Sequence, residues 1–290
     1  MYLMKFDKSS MKSMSVPWIE SDFARNILEK KKTSKKLKDQ AAFFIKNGYL
    51  ILRNVISDKL IKSVVKDYKK IINSKTYKKN PDYFHYNKYP RVIEGWRKSK
   101  YIKSIAKNKL IEKTLHFLYD KDPIPISTIN FYAGTEQPLH SDYIHFGSIP
   151  ELYLTGVWFA LEKVNNNNGP LIIVPGSHKL KLINFSDFNL NIPKTSKELK
   201  NHYSIYENYL QDLIKEKNLK TKKILLNKGD AIIWAANLLH GGSKIKKNNS
   251  RLSQVVHYHF SKLDYIYNPC FSNKNIGIIA KRDINKIKIK

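Results

Sequence analysis

Gly229-Asp230-Ala231-Ile232-Ile233-Trp234-Ala235-Ala236-Asn237-Leu238-Leu239-His240-Gly241-Gly242 (residues 229–242) joins a turn, an apolar run and a histidine in one segment. Gly229-Asp230 is a turn pair, and the apolar run behind it reads as a short buried strand. The stretch delivers an imidazole, His240, at a strand end and follows it with two glycines. Eleven residues on, beyond a Lys244–Ser250 turn, Arg251 opens another strand-like run, 251–260. Antiparallel pairing across that turn brings the guanidinium towards the end of the strands where His240 sits.

Working outward, further short strands are expected at 126–132, 152–161, 171–174 and 223–226, separated by turn residues such as Asn167-Asn168-Gly169-Pro170. The first half of the chain reads differently. Residues 17–45 are helical and charged, and Tyr49–Leu52 is a strand after the Asn47-Gly48 turn. Ser57 is placed to cap a helix running to about Ile72, and a second helix is expected over Ile102–Leu118. An amphipathic helix over about 196–217, with Tyr206, Leu210, Leu213 and Ile214 on one side, interrupts the strands. Helices first and short strands later predict a mainly β jelly roll, cupin-like, with a helical layer packed on one sheet. The expected organisation is one catalytic domain over 1–290. It comprises an N-terminal extension (1–37), a helical layer (38–125), a jelly-roll core (126–262) and a C-terminal tail (263–290).

Composition narrows the function classes. No apolar run of membrane-spanning length is present, and the N-terminus carries no continuous apolar segment, so neither a membrane span nor a secretory leader is expected. The single cysteine, Cys270, excludes an intrachain disulfide and points to a reducing cytoplasm. The net charge of +29 invites a nucleic-acid reading, but 47 of the 53 basic residues are lysine, spread evenly along the chain. Dedicated phosphate and base readers lean on arginine for its fork geometry. A solvated lysine surface and an attraction to polyanions both fit that charge, and nucleic acid is not the expected partner.

His140-Ser141-Asp142 supplies a second imidazole and a carboxylate. In a strand, residues two apart point the same way, so His140 and Asp142 can reach one ion while Ser141 faces away. Chance alone gives on the order of 0.4 His-x-Asp occurrences at this composition, so the triplet is weak evidence by itself. Joined to His240 it forms a two-histidine, one-carboxylate set that binds Fe(II) on one face and leaves positions open. Arg251 can then grip the far carboxylate of a 2-oxo dicarboxylate with both fork nitrogens.

The full pattern is His140-Ser141-Asp142, Trp158-Phe159-Ala160-Leu161-Glu162, Asn168-Gly169-Pro170-Leu171, Pro175-Gly176-Ser177-His178-Lys179, Gly229-Asp230, His240 and Arg251. It resembles the phytanoyl-CoA dioxygenase family of Fe(II)- and 2-oxoglutarate-dependent oxygenases, over about residues 38–262. The resemblance implies a double-stranded β-helix with Fe(II) as metal, 2-oxoglutarate as co-substrate and O2 as oxidant. His140, Asp142 and His240 would bind iron, and Arg251 would anchor the 2-oxoglutarate C5 carboxylate. Trp158 would lie along the co-substrate, and Asn130 would hydrogen-bond it. A family serine two residues past the distal histidine is Gly242 here, with Ser243 or Ser253 left to take over its hydrogen bond. The retained Asp142 implies hydroxylation, because halogenating relatives replace that carboxylate with a small residue.

Several residues are candidates for substrate contact. Tyr143 and His145 follow the triplet closely, and His257 shares the Arg251 face of its strand, either as a pocket residue or as a hydrogen-bonded interior histidine. Arg91 and Arg97 flank Gly95-Trp96 near Tyr83, His85, Tyr86 and Tyr89, and either could bind an acidic substrate group. His178 belongs to the Pro-Gly-Ser-His turn and reads as structural. The expected function is hydroxylation of a small polar or anionic metabolite or an acyl-type substrate, with 2-oxoglutarate decarboxylated to succinate. The alternatives are a non-catalytic jelly-roll protein binding a metal or sugar, and an oxygenase acting on nucleic acid.

Overall fold

The structure, a computed structural model, describes residues 16–79, 89–246, 250–283 and 286–287. Tyr83, His85 and Tyr86 lie outside the described residues, as do 1–15 of the N-terminal extension. Eleven strands are described: β1 (Tyr49–Leu52), β2 (Arg91–Ile93), β3 (Pro123–Phe131), β4 (Gly147–Ile149), β5 (Thr155–Ala160), β6 (Leu171–Ile173), β7 (Lys222–Ile224), β8 (Ala231–Ala235), β9 (His240–Gly242), β10 (Ser253–Phe260) and β11 (Tyr265–Tyr267). A six-stranded sheet runs β1-β8-β5-β10-β3-β2, a three-stranded sheet runs β7-β6-β9, and β11 pairs β4. All of these pairings are antiparallel. The jelly roll is therefore present, and every expected strand has its counterpart.

The large sheet is buried on both faces, which is why its strands read as apolar runs rather than as alternations. Along β5, Val157 and Phe159 enter one core, while Trp158 and Ala160 enter another. β8 divides in the same way: Ala231, Ile233 and Ala235 join the first core, and Ile232 and Trp234 the second. The first core faces the helices α2 (Lys35–Asn47), α3 (Asp58–Asn73), α5 (Lys100–Ala106) and α6 (Lys109–Tyr119), which contribute Phe44, Val64, Ile105 and Leu115 among others. The second core lies between the two sheets, where Leu171, Ile173 and Ile224 of the small sheet meet Trp158, Ile232 and Val255. Each fully buried aliphatic side chain contributes roughly 1.5–3 kcal/mol, so the helical layer and the small sheet clamp the large sheet from both sides.

Ser57 accepts a hydrogen bond from the Leu60 amide and caps α3 as expected. The helix expected over Ile102–Leu118 is instead two helices. The Asn108 side chain accepts from the amides of Leu110 and Ile111, ending α5 and starting α6. Residues 17–45 likewise break into a 3₁₀ turn (Trp18–Glu20), α1 (Ala24–Lys30) and the start of α2, which runs on to Asn47. α4 is the short Lys75–Lys78 turn of helix, and α7 (Ser196–Glu216) is the inserted helix. α7 packs Tyr206 and Leu210 against Ile183, Phe185 and Leu239 in a third core, next to the His140 segment.

Candidate active site

His140 and His240 come from segments a hundred residues apart and are stitched together by backbone. Each donates its amide to the other's carbonyl at 2.9 Å. Each imidazole also turns Nδ1 to the carbonyl two residues earlier, Pro138 for His140 and Leu238 for His240, both at 2.9 Å. That bond holds the proton on Nδ1 and leaves Nε2 as an acceptor facing the cluster, with Gln137 Nε2 3.1 Å from that of His140. Asp142 Oδ1 lies 3.7 Å from His240 Nε2 and 4.0 Å from His140 Nε2. One ligand atom from each of the three residues fits within 4.8 Å, and all three residues are buried. The donor set of two nitrogens and one carboxylate oxygen on one side of a cavity fits Fe(II).

The route to this geometry differs from the expected strand. His140 forms only an isolated bridge with His240, and Asp142 starts a 3₁₀ turn, Asp142–Ile144. Ser141 does face away, with its amide and hydroxyl on Tyr206 Oη of α7 at 3.1 and 3.2 Å. Replacing Tyr206 with phenylalanine removes both contacts while keeping the ring, and a roughly tenfold loss of Fe(II) affinity is expected by metal titration.

Asp142 is held by more than the two histidines of the cluster. Its Oδ2 accepts from Trp234 Nε1 at 2.7 Å and lies 3.4 Å from His257 Nε2. Burial acts to raise its pKa, but His240, His257 and His140 outweigh burial and keep the carboxyl below its ordinary range. His140 is lowered to about 3, first by burial and then by His240 beside it, so the imidazole is neutral and available as a ligand. Trp234 can lie in this position because β5 carries Gly156 beneath it. A Cβ there would sit 2.3 Å from the indole. Gly156→Ala is therefore expected to push Trp234 off Asp142 and weaken Fe(II) binding by about tenfold or more, read by the same titration.

The Pro-Gly-Ser-His turn acquires a reason. Ser177 Oγ accepts from the Leu239 amide at 2.8 Å, and Asn237 Nδ2 donates to the carbonyls of His178 and Leu180. The turn thus pins the chain immediately before His240.

A cavity of about 430 Å³ opens over the triad. Arg251 lies at one side of it, buried, with Nη1 on the Gly169 carbonyl at 2.8 Å, Nη2 on the Ala133 carbonyl at 3.4 Å and Cζ 4.9 Å from the Trp158 ring centre. Burial lowers its pKa to about 10, which leaves it a cation at neutral pH. Arg251 precedes β10 rather than opening it. Its Nε and the hydroxyl of Ser253 are buried without a hydrogen-bond partner. Both belong to the run whose next alternate residues, Val255 and His257, line the cavity. A buried guanidinium with an orphaned donor at the side of the cavity suits a carboxylate, so the residues fit 2-oxoglutarate as well as iron.

Other expected contacts are redistributed. Asn130 does not line the cavity: Ile129 and Phe131 do, so the pleat turns Asn130 to the helical face, where Nδ2 donates to Gln254 Oε1 at 3.1 Å. Tyr143 is carried inward by the 3₁₀ turn and bonds Glu151 and Tyr267. Arg97 is half exposed, paired with Glu94 at 3.8 Å and stacked on Trp96, away from the cavity. Arg91, His145 and His257 do line it. His257 combines both of its alternatives, with Nδ1 on Ser127 Oγ at 2.9 Å and Nε2 towards Asp142. His145 stacks on Tyr203 of α7, and burial lowers its pKa to about 4.

At Gly242, a Cβ would come within 2.7 Å of Glu136 N and Thr135 Oγ1, so a serine does not fit. Ser243 Oγ is already engaged with the Pro170 carbonyl. Ser253 and the cavity-lining Thr135 are the hydroxyls left nearby. Thr135, Gln137, Phe146 and Arg282 line the cavity without having been singled out from sequence. Among the described residues, no helix is long and apolar enough to cross a membrane.

The chain is similar to proteins already known. The bovine (Bos taurus) protein named "Phytanoyl-CoA dioxygenase, peroxisomal" is 22% identical over 271 residues, covering 82% of this chain and 73% of its own. Among solved structures, EctD from S. alaskensis with bound Fe superimposes with a TM-score of 0.63 at 18% identity, covering 82% of this chain and 80% of its own. The epimerase SnoN in complex with Fe3+, alpha ketoglutarate and nogalamycin RO gives a TM-score of 0.63 at 14% identity, covering 87% and 99%. Residues 44–253 match the phytanoyl-CoA dioxygenase (PhyH) family, and the chain therefore belongs to that family of Fe(II)- and 2-oxoglutarate-dependent oxygenases.

Proposed function

We propose that this dioxygenase hydroxylates a small polar or anionic metabolite, with His140, Asp142 and His240 as its iron ligands and Arg251 as the anchor of 2-oxoglutarate. The observation that carries the reading is the pairing of a buried two-histidine, one-carboxylate set with a buried, incompletely bonded guanidinium at the edge of the same cavity. Bound Fe(II) with 2-oxoglutarate and O2 supplies the oxidising power for C–H hydroxylation, releasing succinate and CO2.

The chain's own share is positioning and protection. Arg251, steadied by two carbonyls and the Trp158 face, holds the distal carboxylate, and Ser253 or Thr135 donates the remaining hydrogen bond. Trp234 and His257 fix the Asp142 carboxylate so that the third ligand does not rotate. Ile129, Phe131, Leu171 and Val255 give apolar walls that keep bulk water from the reacting carbon. A cavity of about 430 Å³ that must hold the metal, the co-substrate and the reacting end of the substrate favours a small molecule over a long acyl chain inside it.

The test is anaerobic loading with Fe(II) and 2-oxoglutarate, followed by air and measurement of succinate, alone and with a metabolite library. Slow succinate release, stimulated by one chemical class, is expected. No succinate at any iron level would sink the enzyme reading in favour of a non-catalytic metal-binding jelly roll.

A further inference from the structure

We infer that the C-terminal segment supplies the substrate-recognition cation, Arg282, and that the substrate carries an oxyanion, a carboxylate or a phosphate. The inference rests on the dioxygenase reading for the word substrate, but the anion site itself stands on its own geometry. Arg282 lies in the segment that returns to the barrel after β11. Lys281 bridges Tyr267, and the Arg282 amide donates to the Ile266 carbonyl at 3.0 Å. This brings a residue from the end of the chain to the lining of the cavity that holds the triad.

The guanidinium is oriented but not neutralised. Its Nη1 donates to the His145 carbonyl at 3.0 Å, and its Cζ lies 4.0 Å from the centre of the Phe146 ring. Phe146 in turn stacks on His257 at 4.7 Å, and His257 reaches Asp142, so Arg282 is connected to the triad through two packed rings. Among the described residues no carboxylate lies within ion-pair distance of Arg282, and the His145 carbonyl is the one acceptor its side chain has. Four of the five donors of an arginine fork are thus left for something else.

Charge accounting points the same way. The cavity lining contains one carboxylate, Asp142, and three guanidinium groups, Arg91, Arg251 and Arg282. With iron and the co-substrate bound, the dication and Arg251 balance the 2-oxoglutarate dianion and Asp142. The charge of Arg282 remains, on a partly buried group for which an unbalanced cation is costly. Burial also lowers the Arg282 pKa, consistent with a cation that gains from an anionic partner. A planar fork stacked on an aromatic ring is suited to a carboxylate or phosphate, which it binds through two parallel hydrogen bonds.

The test uses anaerobic protein saturated with Fe(II) and 2-oxoglutarate, titrated calorimetrically with inorganic phosphate and, separately, with acetate. Saturable binding of at least one is expected. Arg282→Ala should weaken it by about tenfold or more and Arg282→Lys by less, since lysine keeps the charge and loses the fork. Arg97→Ala, half exposed and paired with Glu94, should leave it within about twofold, excluding a general effect of lost charge. Tighter phosphate than acetate assigns a phosphorylated substrate, and the reverse assigns a carboxylate. Wild-type affinity in Arg282→Ala, or no saturable binding of either anion, overturns the inference. Circular dichroism of both Arg282 variants confirms that a loss is local. A separate titration of the Fe(II)-loaded protein with 2-oxoglutarate separates the two readings. If it is absent while anion binding still depends on Arg282, the dioxygenase assignment falls and the anion site stands.

Discussion

Asp142→Asn should abolish succinate formation, by about a thousandfold or more, while leaving the fold intact. Asparagine keeps an oxygen for the Trp234 indole, whose bond to Asp142 is 2.7 Å, but it removes the negative charge of the proposed iron ligand. Asp142→Ala should lose activity to the same extent and also lose stability. It strands the buried Trp234 N–H and leaves His257 Nε2 without the carboxylate 3.4 Å away. A destabilisation of about 1–3 kcal/mol in the iron-free protein is expected for alanine but not for asparagine, read by urea unfolding. Equal stability of the two variants would mean that the carboxylate is not the anchor for its surroundings. Activity retained in either would remove Asp142 from the ligand set.

The second large effect lies at Arg251. Arg251→Ala should raise the 2-oxoglutarate KM about 100-fold, the range expected when one partner of a buried charge-assisted pair is deleted. Arg251→Lys should sit in between. A lysine can reach the co-substrate but cannot also hold the carbonyls of Gly169 and Ala133, which orient the guanidinium. The readout that separates co-substrate anchoring from general damage is the split between parameters. KM for 2-oxoglutarate rises while Fe(II) affinity, which we propose is set by His140, Asp142 and His240, stays near wild type. A parallel loss of both would assign Arg251 a structural role.

The strands were legible because short apolar runs are bounded by Gly, Asn and Asp, and a strand buried on both faces needs such runs. The helix at Ser57 was legible from its cap. The grouping of His140, Asp142 and His240 beside Arg251 was legible because a two-histidine, one-carboxylate set with a distal guanidinium has few other uses. Alternation along β3 separates Asn130 from Ile129 and Phe131, but nothing local says which face of the pleat looks into the cavity. Tyr143 was displaced by a 3₁₀ turn too short to leave a periodic trace, and Asn108 split a helix whose apolar spacing ran on across it. Arg97 and Arg91 look alike in sequence, and only the turn after β2 sends one to the surface while the other faces the cavity. Arg282 had no local signal at all, because its place depends on a pairing with Tyr267 and Ile266 that forms only in the assembled chain.

The division of the large sheet between two cores makes adjacent positions answer to different demands. Val255 and Val256 are the same amino acid one residue apart. Val255 borders the cavity, while Val256 is sealed against the helices. Reshaping the catalytic chamber is therefore separable from maintaining the scaffold. A library confined to Ile129, Phe131, Leu171 and Val255 would explore new substrates, and the alternate positions could be stabilised independently without altering what the enzyme accepts.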